Sequence, residues 1–107
     1  MPNRLHKIAF LPSALDDLEK ITHYIADTLG APQAARKFIA DLDVITNTLA
    51  HFPYACPVYA PRRPLDAEIR YTPIDNFLLF YLVNKQTVEI LHVRYGRQNP
   101  ADFLSNH

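Results

Sequence analysis

The chain has 107 residues, the length of one domain, and we expect residues 1–107 to fold as a single unit. Its 11 Lys and Arg residues balance its 11 Asp and Glu residues, so no overall positive charge points to nucleic-acid binding. The single cysteine, Cys56, excludes an intrachain disulfide and a cysteine-based zinc cluster, and no apolar run is long enough to span a membrane. We therefore expect a soluble, cytoplasmic protein with no metal ion and no other cofactor.

The N-terminal part is predicted to form a short strand that leads directly into a helix. Lys7 to Leu11 is the predicted strand, and Pro12 ends it. Ser13 is the predicted N-cap, because its hydroxyl can accept a hydrogen bond from an unpaired amide of the first turn. Asp16 and Asp17 are interpreted as first-turn carboxylates near the positive end of the helix dipole.

Two helices are predicted between residues 13 and 50, and each carries one apolar stripe with spacings of three and four. The stripes are Leu18, Ile21, Ile25 and Leu29, then Ala35, Phe38, Ile39, Leu42, Ile45 and Leu49. Gly30 supplies a left-handed residue that closes the first helix, and Pro32 fits the first turn of the second. The helices should pack as an antiparallel hairpin, and a sheet should cover the apolar surface that remains.

The segment from His51 to Asp66 contains four prolines, a density that excludes a helix or a central strand. One interpretation of this segment is an ordered loop that Tyr54, Val58 and Tyr59 anchor to the rest of the domain. The simpler interpretation, which we prefer, is a plain connector.

Three strands are predicted after this loop, with hairpin-length turns between them: Glu68–Thr72, Phe77–Val83 and Val88–Tyr95. The middle strand is apolar on both faces and should therefore be central. Pro73 should lie at a strand end or a sheet edge, because it has no N–H to donate. The last strand is predicted to place Val88, Ile90 and His92 on one face, and Leu91, Val93 and Tyr95 on the other.

The predicted fold class is therefore α+β. An N-terminal strand is followed by an α-helical hairpin and a three-stranded antiparallel meander, in the order β-α-α-β-β-β. The pattern leaves the pairing partner of the first strand open.

Several groups of residues together resemble a known family over nearly the whole chain. The helical part contributes Ala14, Asp17-Leu18, Ile21, Tyr24-Ile25, Gly30, Ala35, Phe38 and Phe52-Pro53. The strongest match is Ile69-Arg70, followed by Phe77 to Tyr81 and by the run from Val88 to Arg97. This set resembles the RelE/ParE toxin superfamily, also known as plasmid stabilisation system toxins.

The resemblance implies a RelE/ParE-like fold and the toxin component of a type II toxin–antitoxin system. ParE-type toxins bind DNA gyrase, so resemblance to this branch implies inhibition of gyrase by direct binding. RelE-type toxins cut mRNA on the ribosome without a metal ion, and this endoribonuclease activity is the alternative. A further alternative is an inactive interaction module of the same fold. The resemblance also implies a cognate antitoxin as a partner, and it leaves open a homodimer or a toxin–antitoxin heterotetramer.

Two departures from the ribonuclease branch make the chain more similar to the ParE branch. Leu78 stands where the ribonucleases commonly carry an arginine, and no tyrosine follows Gly96, where many of them have one. At the end of the last strand Tyr95 replaces a histidine that is common in the family, and this departure favours neither branch. We therefore expect binding rather than catalysis, and we assign no catalytic residues.

Arginine side chains near strand ends are the main candidates for contact with the target, because the planar guanidinium group suits recognition of carboxylates and phosphates. The candidate target-binding residues are Arg70, Arg94, Tyr95 and Arg97, and the weaker candidates are Arg62, Arg63 and His92. A simpler interpretation of Arg62 and Arg63 is that they lie on a solvated surface and form ordinary salt bridges. The simpler interpretation of His92, which lies in an apolar strand, is a hydrogen-bonded core histidine.

Overall fold

The computed structural model describes residues 5–60 and 67–104, and it confirms the predicted α+β order. A short C-terminal helix is present that the sequence pattern did not predict. The elements are β1 (Lys7–Phe10), α1 (Pro12–His23), α2 (Pro32–His51), β2 (Arg70–Ile74), β3 (Phe77–Asn84), β4 (Thr87–Tyr95) and α3 (Ala101–Leu104). A π-helical turn, Tyr24–Thr28, extends α1.

The strands form one mixed sheet with the order β1-β4-β3-β2. β2, β3 and β4 are antiparallel neighbours, as in the predicted meander. β1 pairs parallel to β4, from Lys7 opposite Thr87 to Phe10 opposite Ile90. This pairing answers the question that the sequence left open. Because β1 is shorter than β4, the second half of β4 has no strand of the described residues on that side.

Both faces of the sheet are buried, which explains why β3 is apolar throughout and confirms its central position. α1 and α2 pack on one face and form the main core with Leu79 and Tyr81 of β3. On the other face a smaller cluster contains Phe80, together with Ile69, Leu91 and Leu104. Side chains along β3 therefore alternate between the two faces, as expected for a pleated strand.

A β-bulge in β4 changes how its side chains are divided between the two faces. The register skips Leu91, because consecutive residues of β3 lie opposite Ile90 and His92. One extra residue reverses the alternation from this point on. Ile90 and Val93 consequently both belong to the main core, while Leu91 belongs to the smaller cluster. The prediction that Ile90 shares a face with His92, and Leu91 with Val93, is therefore wrong.

The start of α1 also differs from the prediction. The helix begins at Pro12, so Leu11 occupies the N-cap position and makes no capping hydrogen bond with its side chain. Ser13 lies inside the helix, and its hydroxyl donates to the carbonyl oxygen of Leu91 at 2.7 Å. The helix begins earlier than predicted because proline is well suited to the first helical position. Ser13 therefore lies past the N-cap, and its hydroxyl bonds to the sheet instead of capping the helix.

The helical hairpin keeps its predicted turn but not all of its predicted stripes. Gly30 has a φ of 63°, the left-handed conformation expected after a helix. Leu29 and Ile39, both assigned to buried stripes, are instead 58% and 41% exposed. Leu29 follows the π-helical turn, whose extra residue per turn rotates the following side chains away from the stripe.

Hydrogen bonds to β2 and to the residue just before it order the described part of the loop after α2. The Tyr59 amide donates to the Ile69 carbonyl at 2.7 Å, and the Tyr71 amide donates to the Pro57 carbonyl at 3.1 Å. The Tyr59 ring packs in the smaller cluster, as its predicted anchoring role requires. The side chain of Val58 is instead exposed, and only its backbone is engaged, through a bridge to the start of β2.

β2 begins at Arg70 rather than at the predicted Glu68, and it extends to Ile74. It is one of the two outer strands of the sheet, so Pro73 lies at a sheet edge as predicted.

Tyr81 connects the proline-rich loop to the main core. Its side chain is fully buried, and its hydroxyl donates to the carbonyl oxygen of Pro53 at 2.8 Å. Burial, and to a smaller extent the neighbouring Cys56 thiol, raises the pKa of the Tyr81 phenol well above its ordinary value of 10. The phenol therefore remains a protonated hydrogen-bond donor at neutral pH.

Replacing Tyr81 with Phe is expected to lower the free energy of unfolding by about 1–3 kcal/mol, because the buried Pro53 carbonyl loses its donor. Urea unfolding followed by circular dichroism measures this change. Tyr24→Phe is the matched control, since Tyr24 is 51% exposed and its hydroxyl has no partner among the described residues. Equal stability of the two variants would contradict the role assigned to the Tyr81 hydroxyl.

Candidate functional site

The candidate site lies where α1 replaces a strand along the open half of β4. β1 ends at Phe10, and the Leu11 amide makes the last hydrogen bond of that pairing, to the Ile90 carbonyl at 2.9 Å. Beyond this point side chains of α1 bond to the backbone of β4. The Ser13 hydroxyl donates to Leu91, and the Val93 amide donates to the Asp17 carboxylate at 3.1 Å. Polar groups that an open sheet edge would leave unpaired are thereby satisfied.

Asp17 is the central residue of this site. Its side chain is only 6% exposed, and its Oδ2 atom lies 2.9 Å from Nδ1 of His92. Because a carboxylate oxygen only accepts hydrogen bonds, Nδ1 of His92 is the donor in this pair. The Oδ1 atom lies 3.1 Å from Nε of Arg94. One buried carboxylate therefore faces three consecutive residues of β4 at the point where the strand pairing ends.

The guanidinium group of Arg94 is held on two sides. Its Nε atom is buried beside Asp17, and the contact is an ion pair rather than an aligned hydrogen bond. Its Cζ atom lies 4.8 Å from the centre of the Phe103 ring of α3, a cation–π distance. The two terminal nitrogens have no partner among the described residues, and the side chain is 31% exposed. They are therefore available to a molecule outside the protein.

Tyr95 and Arg97 continue this surface past the end of β4. Tyr95 is 49% exposed, with its ring 6.0 Å from that of Phe77. Arg97 lies in the turn after β4 and is exposed, and no carboxylate of the described residues lies within 4.0 Å of it. Three of the four main candidates, Arg94, Tyr95 and Arg97, are thus together at one end of the sheet.

A shallow pocket of about 160 Å³ lies between α1 and this end of β4. It is lined by Asp17, Lys20, Ile21, Val93, Arg94 and Tyr95. Lys20 is itself paired with Asp16 at 2.9 Å, one helical turn earlier on the surface of α1. The pocket therefore has two cations and two carboxylates in or beside it.

Arg70, the fourth main candidate, lies in β2, two strands away from Arg94. Its terminal nitrogens donate to the carbonyl oxygens of Tyr54 and Cys56 and to the Glu68 carboxylate, at 2.7–3.2 Å. Its side chain is only 16% exposed, and its guanidinium group also lies over the Tyr54 ring at 5.3 Å. These contacts are all intramolecular, and they hold the proline-rich loop on β2.

The weaker candidates divide into two groups. Arg62 and Arg63 lie outside the described residues. His92 is buried and hydrogen-bonded to Asp17, which confirms its interpretation as a core histidine.

Asp17 is the important residue that the sequence interpretation assigned wrongly. It is not a solvated first-turn charge, because its carboxylate is buried against β4. A signal was present in its spacing, since Asp17 follows Ala14 by three residues and precedes Ile21 by four. It therefore lies on the buried face of α1 with these two residues. A carboxylate at such a position needs a partner on the element that covers the helix.

None of the helices within residues 5–60 and 67–104 combines the length and the apolar character needed to cross a membrane. Within the same residues, no group of three or more His, Cys, Asp or Glu side chains is placed to hold a metal ion.

Comparison with known proteins identifies one family. The model of the ParE toxin of the type II toxin–antitoxin system parDE matches residues 8–100. No curated protein matches the chain. The fold is similar to a solved structure of the chromosomal ParDE toxin–antitoxin system from P. aeruginosa, with a TM-score of 0.66, 19% identity, and coverage of 86% of this chain and 97% of that one. It is also similar to the toxin–antitoxin complex RelBE2 from Mycobacterium tuberculosis, with a TM-score of 0.59, 20% identity, and coverage of 85% and 98%.

Replacing Asp17 with Ala is expected to lower the free energy of unfolding by about 3 kcal/mol, because His92 and the buried Val93 amide lose their acceptor and Arg94 loses its ion pair. Asp16→Ala is the matched control. Its pair with Lys20 is exposed, so the change should cost less than about 1 kcal/mol. Chemical denaturation of both variants tests the difference, and a small effect of Asp17→Ala would show that the buried carboxylate is dispensable.

Proposed function

Since this chain belongs to the ParE family of toxins from type II toxin–antitoxin systems, we propose that it acts by binding DNA gyrase directly and inhibiting it. The observation that carries the proposal is the extent of the family match. Residues 8–100 include α1, α2, β2, β3 and β4 whole and all of β1 except Lys7, so the resemblance covers the domain and not one motif.

The end of β4 is the surface we propose for contact with gyrase. Three exposed or half-buried side chains lie there: Arg94, Tyr95 and Arg97. The strands beside them are held firmly, because each edge is either hydrogen-bonded to a neighbouring strand or covered by α1. A rigid sheet end loses little conformational freedom when it binds a large partner, which favours affinity. Arginine and tyrosine are also residue types that contribute strongly to protein–protein interfaces.

A ribosome-dependent endoribonuclease is the alternative activity within the superfamily. Leu78 lies directly opposite Arg94 in the sheet and packs with the smaller apolar cluster. An apolar side chain at this position cannot contact a phosphate group as an arginine would. No tyrosine follows Gly96 in the sequence. Both features favour the binding function over the nuclease.

A cognate antitoxin is the second partner that we propose. Apolar side chains of both long helices are exposed: Leu15 by 55%, Ile39 by 41% and Val44 by 66%. An amphipathic segment that folds on binding could cover surface of this kind.

Purified protein is expected to inhibit supercoiling by gyrase and to leave mRNA uncut on purified ribosomes. The double variant Arg94→Ala/Arg97→Ala should weaken gyrase binding by about 30-fold or more, if the two contacts together supply about 2 kcal/mol. Arg36→Ala, at an exposed position of α2, is the matched control and should bind like the wild type. mRNA cleavage with unaffected gyrase would establish the ribonuclease instead, and inactivity in both assays would favour the inactive module.

Co-expression with a cognate antitoxin, encoded by a neighbouring gene, is expected to raise the soluble yield and the melting temperature of this protein. Ligands that bind only the folded state stabilise it by mass action, and the effect at 100 times the Kd is about 2.7 kcal/mol. Differential scanning fluorimetry of the free toxin and the purified complex gives the comparison. An unrelated antitoxin serves as the control, and an unchanged melting temperature with the verified partner would argue against the proposed complex.

A further inference from the structure

The surroundings of Arg94 constrain its orientation more than an exposed binding residue requires. Asp17 holds Nε from the protein side at 3.1 Å, and the Phe103 ring lies 4.8 Å from Cζ. The terminal nitrogens, which have no partner among the described residues, consequently face outward. Asp17 is in turn fixed by the Val93 amide and by His92. This chain of contacts runs from the backbone of β4 to one outward-facing pair of N–H donors.

The shallow pocket beside this pair is suited to a carboxylate. Two parallel N–H groups of one guanidinium match the two oxygens of a carboxylate in a bidentate pair. A nucleic-acid backbone instead requires several uncompensated cations. Here Asp17 accompanies Arg94 and Asp16 accompanies Lys20, so the two cations of the pocket do not form a positive patch. The chain as a whole also has no net charge.

We propose that Asp17 is a positioning residue for Arg94, and that the pocket between α1 and the end of β4 binds an acidic side chain of gyrase. This inference rests on the gyrase-binding function proposed above. Asp17 does not touch the partner in this arrangement. It acts by keeping the planar guanidinium in one orientation, so that less freedom is lost when the partner carboxylate binds.

The test measures the affinity of this protein for gyrase in the absence of DNA, using four proteins: wild type, Asp17→Asn, Arg94→Ala and the double variant. Asp17→Asn keeps the size of the side chain and one oxygen acceptor for the Val93 amide, but it removes the charge beside Arg94. We expect Asp17→Asn to weaken binding about 10-fold, which corresponds to about 1.4 kcal/mol. In the Arg94→Ala background the same change should alter affinity by less than about 2-fold, because its effect passes through Arg94.

A purely structural role of Asp17 gives a different result. In that case Asp17→Asn would weaken binding by a similar factor in the wild-type and Arg94→Ala backgrounds. Such additivity would overturn the positioning role. NMR provides a second measurement, since the Nε–H signal of Arg94 should shift in Asp17→Asn but not in Asp43→Asn. Asp43 is an exposed carboxylate of α2 outside the pocket and is the matched control. All affinities are measured well below the melting temperature of each variant.

Arg94→Lys keeps the test informative if Asp17→Asn is poorly folded. Lysine preserves the positive charge beside Asp17 but lacks the two parallel donors, so its binding should be close to that of Arg94→Ala. Wild-type affinity in Arg94→Lys would overturn the bidentate carboxylate site.

Two further outcomes separate the inference from the function on which it rests. If wild-type protein does not bind gyrase, the proposed function fails and the pocket loses its proposed ligand. If the wild type binds and Asp17→Asn binds equally well, only the role of Asp17 fails.

Fluorescence anisotropy with a labelled DNA duplex tests the phosphate alternative. Arg94-dependent binding to DNA alone, weakening steeply with salt, would replace the carboxylate with a phosphate ligand.

Discussion

The carboxylate of Asp17 is the interaction on which the candidate site depends. β4 is longer than β1, so half of its edge lacks a neighbouring strand among the described residues. α1 covers this half, and it can do so only because Ser13 and Asp17 supply polar groups to the strand backbone. Burying a carboxylate is costly unless it is paired and hydrogen-bonded. The partners of Asp17 meet this requirement, and one of them, Arg94, reaches the surface where function is proposed.

Burial of both sheet faces explains how a chain of this size keeps one end of the sheet rigid. Two helices cover one face, whereas the other face is covered by the proline-rich loop and the short helix α3. Small domains bury a limited fraction of their surface, so each of these coverings matters for stability. Phe103 of α3 also contacts Arg94, which means that the covering of the second face reaches the candidate site.

Arg70 and Arg94 show how the surroundings decide the role of one residue type. Both lie in strands and both were candidates for contact with the target. The donors of Arg70 are used by carbonyl groups of its own chain, and its side chain is largely buried. Arg94 contacts its own chain mainly through Nε, beside Asp17, and through the face of its guanidinium group, which lies over the Phe103 ring. Its terminal nitrogens remain available. The difference arises from the elements packed around each strand, which no local pattern contains.

The sequence by itself determined the α+β class, the helical hairpin with its turn at Gly30, and the central position of β3. These features follow from local periodicity and from the backbone preferences of glycine and proline, which neighbours along the chain largely decide. Only the tertiary structure decided the parallel pairing of β1 with β4, the bulge at Leu91 and the burial of Asp17. The first and the last of these depend on which residues meet across about 75–80 positions of sequence, as in the hydrogen bond between Asp17 and His92. The bulge depends on how β3 and β4 pack against the layers on the two faces of the sheet. Such long-range contacts are chosen by packing and by the need to pair every buried polar group, and a local pattern carries neither.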